Sequence, residues 1–343
     1  MQEKVFYNAL NVLLRSDYQK LRKLKERHAT WRASWENCLA EGGNAPNPEE
    51  EWGRLEKIGI RLFLDEDPEY PSLLKEIPWA PFGIYSLGSF SEPTASFIAI
   101  VGTRKATPVG KDVAREFSKE LAQAGCVVVS GLALGIDAAA HEGCLAAGGK
   151  TIAVLANGLD YFYPRSNENL AKKIIEKNGA LVSEYPLGSP TLPYRFLERN
   201  RIVSGLSRGV LVVEAPKQSG ALVTARFATE QNREVFVIPG PITHPNFFGS
   251  NQLIRSGAQL VTDPKEILDT LGIDSPIKDG AADDNATPEE KIVIGVLRKS
   301  LKPVSVDKII EDTNLKAQTV NQILGFLLMR NAVKEDGEGY ILL

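Results

Sequence analysis

The stretch FIAIVGTRKATPVG, residues 97–110, decides the fold class of this chain. Its first part, Phe97–Val101, is apolar at every position, and Gly102 follows at once. Continuous apolarity over a short run is typical of a strand that is buried on both faces, as in a parallel sheet. Thr107 and Pro108 then have the residue types that begin a helix. The stretch therefore predicts a buried strand, a tight turn and a helix, which is the start of a β–α–β unit.

The same pattern recurs along the chain from residue 97 to about residue 271. Further short apolar runs alternate with helical segments, and they are Cys126–Val129, Thr151–Leu155, Ala180–Ser183, Val210–Val213, Val235–Ile238 and Gln259–Val261. Leu62–Leu64 and Ile84–Ser86 are candidate extra strands that precede them. Repeated strand–helix units predict an α/β fold with a doubly wound, mostly parallel sheet.

Composition divides the chain into four parts. Residues 1–62 have the apolar spacing of helices and predict a separate N-terminal helical domain, while residues 63–273 hold the sheet. Residues 274–286 are acidic and rich in small side chains, which predicts a flexible linker. Residues 287–343 contain three helical segments and then a strand pair around Asp336–Gly339, which is the order of a winged-helix domain.

The overall composition excludes several classes of function. The 343 residues include 40 Lys and Arg against 43 Asp and Glu, so a nucleic-acid function requires a local basic surface. Three scattered cysteines and three histidines, without CxxC or HExxH spacing, predict no metal site. The chain has neither a signal-peptide pattern nor a run of 18 apolar residues, so we expect a cytoplasmic protein that does not enter the membrane.

Loops at the predicted strand ends carry glycine and hydrogen-bond donors, and ligands of open parallel sheets bind at this edge. The candidate contact residues in these loops are Gly102, Thr103, Arg104, Lys105, Ser130, Gly131, Lys217, Ser219, Gly220 and Thr224. None of the loops has the GxGxxG or Walker A spacing of nucleotide-binding loops. The near match GCLAAGGKT, residues 143–151, has the wrong spacing and follows a helix rather than a strand.

The stretch FLERNRIVSGLS, residues 196–207, is unusually rich in side chains that donate hydrogen bonds. Its apolar residues follow a helical period. The candidate contact residues here are Phe196, Arg199, Asn200 and Arg201 within the stretch and Arg195 just before it. Isolated charges are costly to bury. The pattern therefore predicts an amphipathic helix whose polar face presents fork-shaped donors to phosphates, with a merely solvated face as the alternative.

Carboxylates also fall at predicted strand ends. Glu184 and Glu214 together could do acid–base work, but the interpretation that we favour is that each pairs with an arginine such as Arg199 or Arg201. His141 lies in a predicted helix, where a packed core histidine is the expected role. No nucleophile–base pair is evident, so we predict no catalytic residue.

The N-terminal part contains a basic run. Residues 15–32 hold seven Lys and Arg against Asp17 and Glu26. Such a run is typical of a solvated helix face, and contact with a phosphate backbone is the alternative.

Nine motifs together resemble one family, the bacterial DNA-processing proteins DprA or Smf. In chain order they are DEDPEYPSLLKEIPWAPFGIYSLG, IAIVGTRKATPVG, SGLALGIDAAAH, NGLDYFYPRSN, SEYPLGSP, FLERNRIVSGLS, VVEAPKQSGALVTARFA, REVFVIPGP and GSNQLIRSGAQLV, over about residues 65–262. The resemblance implies an extended Rossmann-like domain that binds single-stranded DNA without a nucleotide cofactor. It also implies protection of incoming strands in natural transformation, loading of the recombinase RecA onto them, and a homodimer formed through the Rossmann-like domain.

The resemblance assigns roles to particular residues. The family's Gly-Ser/Thr-Arg loop matches Gly102, Thr103 and Arg104, and its arginine-rich helix matches Arg199–Arg201. Phe196 is our candidate for stacking on a base. By position, residues 1–62 correspond to the family's variable N-terminal helical domain, of SAM or helix-hairpin-helix type. Residues 287–343 correspond to its optional winged helix, for which we expect a protein-contact or regulatory role.

Two other functions remain as alternatives. The Rossmann-like architecture is similar to that of nucleotide phosphoribohydrolases, but those enzymes show a PGGxGTxxE run where this chain has IPGPITH at 238–244. We therefore expect a binding protein and not an enzyme. The second alternative is a regulator that reads duplex DNA through the winged helix.

Overall fold

The computed structural model of the chain describes residues 2–40, 45–90, 95–274, 287–298, 300, 303–329, 332–337 and 339–342. The chain forms two compact units, Met1–Pro276 and Ile277–Leu343. Apart from Asp274, the linker predicted at 274–286 lies outside the described residues.

The first unit contains a long series of helices and strands. Its helices are α1 (Gln2–Leu13), α2 (Tyr18–Arg27), α3 (Trp31–Ala40), α4 (Pro48–Ile58), α5 (Ser72–Lys75), α6 (Pro108–Gln123), α7 (Ile136–Ala146), α8 (Glu168–Glu176), α9 (Pro193–Gly205), α10 (Gly220–Glu230), α11 (Phe248–Arg255) and α12 (Pro264–Leu271). Its strands are β1 (Arg61–Leu64), β2 (Gly83–Gly88), β3 (Phe97–Val101), β4 (Val127–Ser130), β5 (Thr151–Val154), β6 (Ala180–Ser183), β7 (Gly209–Val212), β8 (Glu234–Val237) and β9 (Gln259–Leu260).

These strands form one nine-stranded sheet in the order β1-β2-β6-β5-β4-β3-β7-β8-β9. The pairs β1–β2 and β2–β6 are antiparallel, and the other neighbours are parallel. Every predicted strand of this sheet is present, with ends that differ by at most two residues, and the two candidate extra strands form the antiparallel end. The predicted fold class is therefore confirmed.

Alternate residues of β3 enter two different cores because successive side chains of a strand point to opposite faces. Ala99 and Val101 pack in a core that includes Ile202 of α9. Ile98 and Ile100 pack in a second core with residues of α6, α7 and α12. Thr107 accepts a hydrogen bond from the amide of Gly110 at 2.9 Å and so begins α6 at the predicted position. Helices cover both faces, which makes the sheet doubly wound.

The strand order reverses at β3. The strands β4, β5 and β6 follow it on one side, whereas β7, β8 and β9 follow on the other. In open α/β sheets, the crevice at the carboxyl ends of the strands around such a reversal is where ligands bind. The loops after β3, β4 and β7 meet at this crevice.

The N-terminal helices share a core with the sheet. Leu10, Trp31 and Leu55 from α1, α3 and α4 belong to the same apolar cluster as Tyr85 of β2 and Leu181 of β6. The predicted domain boundary at residue 62 falls inside β1, and the two compact units do not divide there. Residues 1–62 were expected to be separate because a helical apolar pattern shows that a face is buried but not which surface covers it.

The second unit has three helices followed by a hairpin. Its helices are α13 (Pro288–Arg298), α14 (Val306–Thr313) and α15 (Ala317–Met329). The antiparallel strands β10 (Val333–Asp336) and β11 (Gly339–Leu342) follow, and Val304 bridges to Tyr340. This is the order predicted for a winged helix. Across the parts of the chain that the structure describes, no helix combines the length and apolarity needed to span a bilayer.

Candidate nucleic-acid interface

A cavity of about 580 Å³ lies at the carboxyl edge of the sheet, where the strand order reverses. We call it the strand-end cavity. The residues that define it are Gly102, Thr103, Arg104, Gly131, Asp137, Tyr163, Pro193, Phe196, Leu197, Arg199, Asn200, Ser219, Gly220 and Thr224. The predicted contact residues that do not line it are Lys105, Ser130, Arg195, Arg201 and Lys217. The structure therefore brings together most of the residues that were predicted from separate loops.

The rim of the strand-end cavity combines a cation with aromatic rings. The guanidinium of Arg104 lies 5.0 Å from the centroid of the Phe196 ring, and Arg104 is exposed. The Tyr163 ring lies 5.5 Å from that of Phe196 at an angle of 53° and is 41% exposed. Arginine side chains bind phosphates, and aromatic faces stack on bases of any sequence.

Glycine lets the loops after β3 and β4 approach each other closely. Gly135 has a φ of +82°, and a Cβ there would collide with the carbonyl oxygen of Thr103. The amide of Ile136 donates to the same oxygen at 3.3 Å. The amide of Thr103 in turn donates to the carbonyl oxygen of Glu214 at 2.7 Å, which ties the loop after β3 to the loop after β7. The floor of the cavity is therefore built from three tied loops.

The prediction that α9 presents a polar face of arginines to solvent is wrong for Arg199. This residue is 4% exposed, and its Nη1 donates to the carbonyl oxygens of Gly131, at 2.8 Å, and Val154. Burial lowers the pKa of the guanidinium to about 10, and Asp137 opposes that shift. Arg199 therefore stays charged at neutral pH and satisfies carbonyl groups at two strand ends. Only the small exposed part of Arg199, at the wall of the strand-end cavity, is available to a ligand.

The same correction applies to Arg201 and Arg195. Arg201 forms a bidentate ion pair with Glu184, at 2.7 and 2.6 Å, and its Nε donates to the carbonyl oxygen of Trp79 at 3.0 Å. Burial opposes the charge of Arg201, but Glu184 outweighs it and raises the pKa. Arg195 donates to the carbonyl oxygen of Pro190 at 3.0 Å. Both arginines turn inward because a fork of donors can satisfy several buried acceptors at once.

The remaining cavity residues surround the beginning of α10. Ser219 accepts a hydrogen bond from the amide of Ala221 at 3.2 Å. Asn200 donates to the carbonyl oxygen of Gly220 at 3.2 Å, and the buried hydroxyl of Thr224 donates to the same oxygen at 3.3 Å. The first turn of α10 thus opens on the cavity, and the positive end of a helix favours phosphate.

Three other predicted residues lie outside the cavity for simple reasons. Ser130 is fully buried, and its hydroxyl donates to the carbonyl oxygen of Ile100 at 2.6 Å, so it connects two strands. Lys105 and Lys217 are exposed beside the cavity and can contribute charge without lining it.

The two strand-end carboxylates are both engaged. Glu184 pairs with Arg201, as the favoured interpretation predicted. Glu214 instead accepts from the amide and hydroxyl of Thr107, at 3.0 and 2.5 Å, and from Asn246 at 2.8 Å. Pairing of Glu214 with an arginine was thus the wrong expectation, because the start of α6 supplies its donors. Both strand-end carboxylates therefore have structural partners.

His141 is the packed core residue that the sequence predicted. It is fully buried, and its Nδ1 lies 2.7 Å from the hydroxyl of Thr151. Because that hydroxyl donates to the carbonyl oxygen of Val128 at 2.7 Å, it accepts from His141. Burial lowers the pKa of the imidazole to about 3, with Arg199 adding to the shift. Within the described ranges, no group of three His, Cys, Asp or Glu side chains could hold a metal ion.

Of the residues that define the cavity, sequence reasoning missed four as contacts: Asp137, Tyr163, Pro193 and Leu197. Asp137 accepts from the amide of Gly131 at 3.1 Å, and burial raises the pKa of its carboxyl while Arg199 opposes the rise. Tyr163 belongs to the motif NGLDYFYPRSN, whose run of aromatic residues was the available signal. Leu197 is 48% exposed, on the side of α9 that was expected to face the core.

The family described as DNA recombination-mediator protein A matches residues 61–272. The chain belongs to this family. The match covers the nine-stranded sheet and every residue of the strand-end cavity, so the family resemblance seen in the sequence is confirmed.

Relatives and solved structures agree with this membership. Protein Smf of Escherichia coli (strain K12) is 46% identical over 217 residues, which are 63% of this chain and 58% of that protein. The X-ray structure of DNA processing protein A (DprA) from Streptococcus pneumoniae is 36% identical, with a TM-score of 0.61 over 69% of this chain and 81% of that chain. A structure of DNA processing protein A from Helicobacter pylori, solved to show its single-stranded DNA binding mode, is 31% identical to this chain. Its TM-score is 0.57, and the match covers 64% of this chain and 98% of that chain. The chain therefore spans less than two thirds of the length of the Smf relative.

Proposed function

We propose that this chain binds single-stranded DNA in the strand-end cavity, protects it, and loads the recombinase RecA onto it during natural transformation or recombination. The observation that carries the proposal is the placement of the Arg104 guanidinium 5.0 Å from the Phe196 ring, beside Tyr163, at the rim of the cavity. Membership of the family supports it, as does the single-stranded DNA binding of the Helicobacter pylori relative.

The rim suits an unpaired strand better than a duplex. Stacking on an aromatic ring requires an exposed base face, which a single strand offers without unpairing. Contacts to phosphates carry no sequence information, so a site of this kind binds strands of any sequence. The proposed binding is therefore independent of sequence and sensitive to salt.

We further propose that the chain acts by binding rather than by catalysis. Glu184 and Glu214, the carboxylates at the strand ends, already hold partners within the described structure. The proposed partners are single-stranded DNA, RecA and a second copy of the chain bound through the Rossmann-like domain, in the cytoplasm. For the winged-helix unit we propose a protein-contact or regulatory role.

Fluorescence anisotropy with labelled oligo-dT tests the site. We expect Phe196→Ala to weaken binding by about 1–3 kcal/mol, the usual worth of one stacked base. We expect Arg104→Ala to weaken it as well and to reduce the slope of log affinity against log salt by about 0.7, the value for one lost phosphate contact.

Arg226→Ala is the matched control, because this arginine lies on the outer face of α10 with its side chain 80% exposed and paired to Glu230. Equal affinities for wild type, Arg104→Ala and Phe196→Ala would refute the site.

A gel shift of single- and double-stranded oligonucleotides with and without RecA tests the loading step. We expect the protein to increase the fraction of single strands bound by RecA, and no increase would refute loading.

A further inference from the structure

A second cavity, of about 550 Å³, lies on the other side of α9. It is formed where the turn between α1 and α2 faces α9 and the loop before β2, all within the first compact unit. We call it the inter-helix cavity and define it by Arg15, Ser16, Tyr18, Trp79, Tyr194 and Arg195. Nothing in the proposed function uses this cavity.

The walls of the inter-helix cavity are rich in aromatic rings. Trp79 and Tyr194 are 52% and 53% exposed, although large aromatic side chains are usually buried. Trp79 also has a φ of +60°, which is uncommon for a bulky residue and strains the backbone. The hydrogen bond from Arg201 to the Trp79 carbonyl holds the backbone there. The fold thus maintains an exposed indole at the mouth of the cavity.

Two polar groups at the inner wall lack partners. Arg195 is 3% exposed, and its Nε has no hydrogen-bond partner among the described residues, nor has the hydroxyl of Ser16. Leaving a buried polar group unpaired destabilises a fold. The guanidinium of Arg195 also lies 4.3 Å from the centroid of the Tyr185 ring. The two Nη atoms of Arg195 donate to the carbonyl oxygens of Pro190 and Arg15. The inner end of the cavity therefore keeps two buried, unpaired polar groups beside aromatic surface.

Helix α9 is the common wall of the two cavities. Phe196 and Arg199 line the strand-end cavity, whereas Tyr194, Arg195 and Glu198 line the inter-helix cavity. A helix with its side chains is about 10–12 Å across. A flexible strand that leaves the strand-end cavity therefore has only the exposed ridge of α9 to cross before it reaches the inter-helix cavity.

The outer rim of the inter-helix cavity carries exposed cations, while three carboxylates, Asp17, Glu184 and Glu198, also line the cavity. Arg15 and Lys20 line the cavity and are exposed. Lys20 lies 3.5 Å from Asp17 in an exposed ion pair, whereas Arg15 has no ion-pair partner among the described residues. On α2, Lys23 and Arg27 are also exposed and without an ion pair in the described structure. This is the basic run at 15–32 that the sequence left between two interpretations. Its unpaired members are available to a phosphate backbone.

We infer that the inter-helix cavity is a second subsite for the same single strand, in which Trp79, Tyr194 and Tyr18 take one nucleobase and Arg15 and Lys20 contact its phosphates. The inference rests on the proposed function, because it extends the strand from the first cavity. The flat aromatic walls match the base of a nucleotide, the donors at the inner end match its sugar, and the cations at the mouth match its phosphate. The occupant is recognised by base stacking and not by sequence.

Anisotropy with two lengths of labelled oligo-dT, roughly 5 and roughly 15 nucleotides, tests the inference, since these lengths fall within the site sizes of single-strand binding folds. We expect Trp79→Ala and Tyr194→Ala each to weaken the long oligonucleotide about tenfold and to leave the short one unchanged. Phe196→Ala is expected to weaken both lengths. Leu39→Ala, which removes a side chain 47% exposed on α3 outside both cavities, is the matched control.

Equal affinities of wild type, Trp79→Ala and Tyr194→Ala for the long oligonucleotide would overturn the inference, as would equal losses at both lengths. Photocrosslinking a long oligonucleotide that carries 5-iodouracil gives an independent readout, and we expect cross-linked peptides that contain Trp79 or Tyr194. Their absence, with cross-links at Phe196 present, would also overturn it. Failure of the proposed function itself looks different, because the wild-type protein would then bind neither length.

Discussion

The buried arginines of α9 and the rim of the strand-end cavity use the same kind of side chain for opposite purposes. In α9, Arg199 and Arg201 are almost fully buried and give their donors to main-chain carbonyls and to Glu184. At the rim, Arg104 is exposed and lies against an aromatic ring without an ion pair in the described structure. An arginine-rich motif is therefore not in itself a binding surface, since its guanidiniums can be consumed by the fold.

The difference divides the site into a layer that shapes it and a layer that touches the ligand. Loss of a buried partner leaves a charge or carbonyl without compensation, and this cost falls on stability. Loss of an exposed side chain leaves the core intact, so its cost falls on binding. Substitutions on the two layers should separate these costs.

The largest effect is expected at the buried ion pair. Replacing Arg201 by Met leaves Glu184, whose side chain is 13% exposed, without its partner. Breaking a buried pair typically costs about 3–5 kcal/mol of unfolding free energy. Urea unfolding followed by circular dichroism measures the change. The double variant Arg201→Met/Glu184→Leu should recover most of the loss, because it removes both charges. A single variant as stable as wild type would break the distinction between the two layers.

A pH dependence should also come from the buried layer. Folding lowers the pKa of His141 from 6.5 to about 3. As the pH falls, the unfolded chain therefore takes up a proton at this imidazole before the folded chain does, and the full contribution of His141 to stability is present only above pH 6.5. As the pH falls from 6.5 towards 3, this group should reduce the unfolding free energy by about 1.4 kcal/mol per pH unit. The His141→Asn variant carries a non-titrating amide at the δ position and can still donate to Thr151. Subtracting its stability curve from that of wild type isolates the contribution of His141. A difference that does not change with pH would contradict burial of the neutral imidazole.

The smallest effect on stability is expected at the rim. Arg104→Ala removes an exposed side chain, and such substitutions usually change the unfolding free energy by no more than about 0.5 kcal/mol. The same urea titration, run beside Arg201→Met, measures it. A loss comparable to that of Arg201→Met would show that Arg104 also belongs to the fold, and the weaker DNA binding expected for this variant would then need no direct contact.

The sheet and much of the cavity could be predicted from the sequence because their signals are local. A run such as Phe97–Val101 shows by its own composition that both faces are buried, and Gly102 marks its end. Parallel strands then place their following loops at one edge, which is why residues as far apart as Gly131 and Gly220 were predicted to share a site.

The orientation of α9 could not be predicted in the same way. Burial of an arginine depends on acceptors from distant parts of the chain, such as the carbonyl of Val154, and those acceptors leave no mark near residue 199. One local signal did exist. Arg195, Arg199, Ile202 and Leu206 recur at helical spacing, so two arginines share the face of two buried aliphatic residues. The inter-helix cavity was missed for a similar reason, since its walls come from separate segments.

The apolar cluster shared by the N-terminal helices and the sheet has a practical consequence. The family match begins at residue 61, but a chain cut there would lose α1, α3 and α4 and uncover Leu62, Tyr85 and Leu181. A contiguous apolar patch of this kind favours aggregation in a soluble protein. The hydroxyl of Tyr85, which now donates to Asn8 at 2.9 Å, would also lose its partner. We therefore expect the smallest piece of this chain that remains soluble alone to be longer than the segment by which its family is recognised.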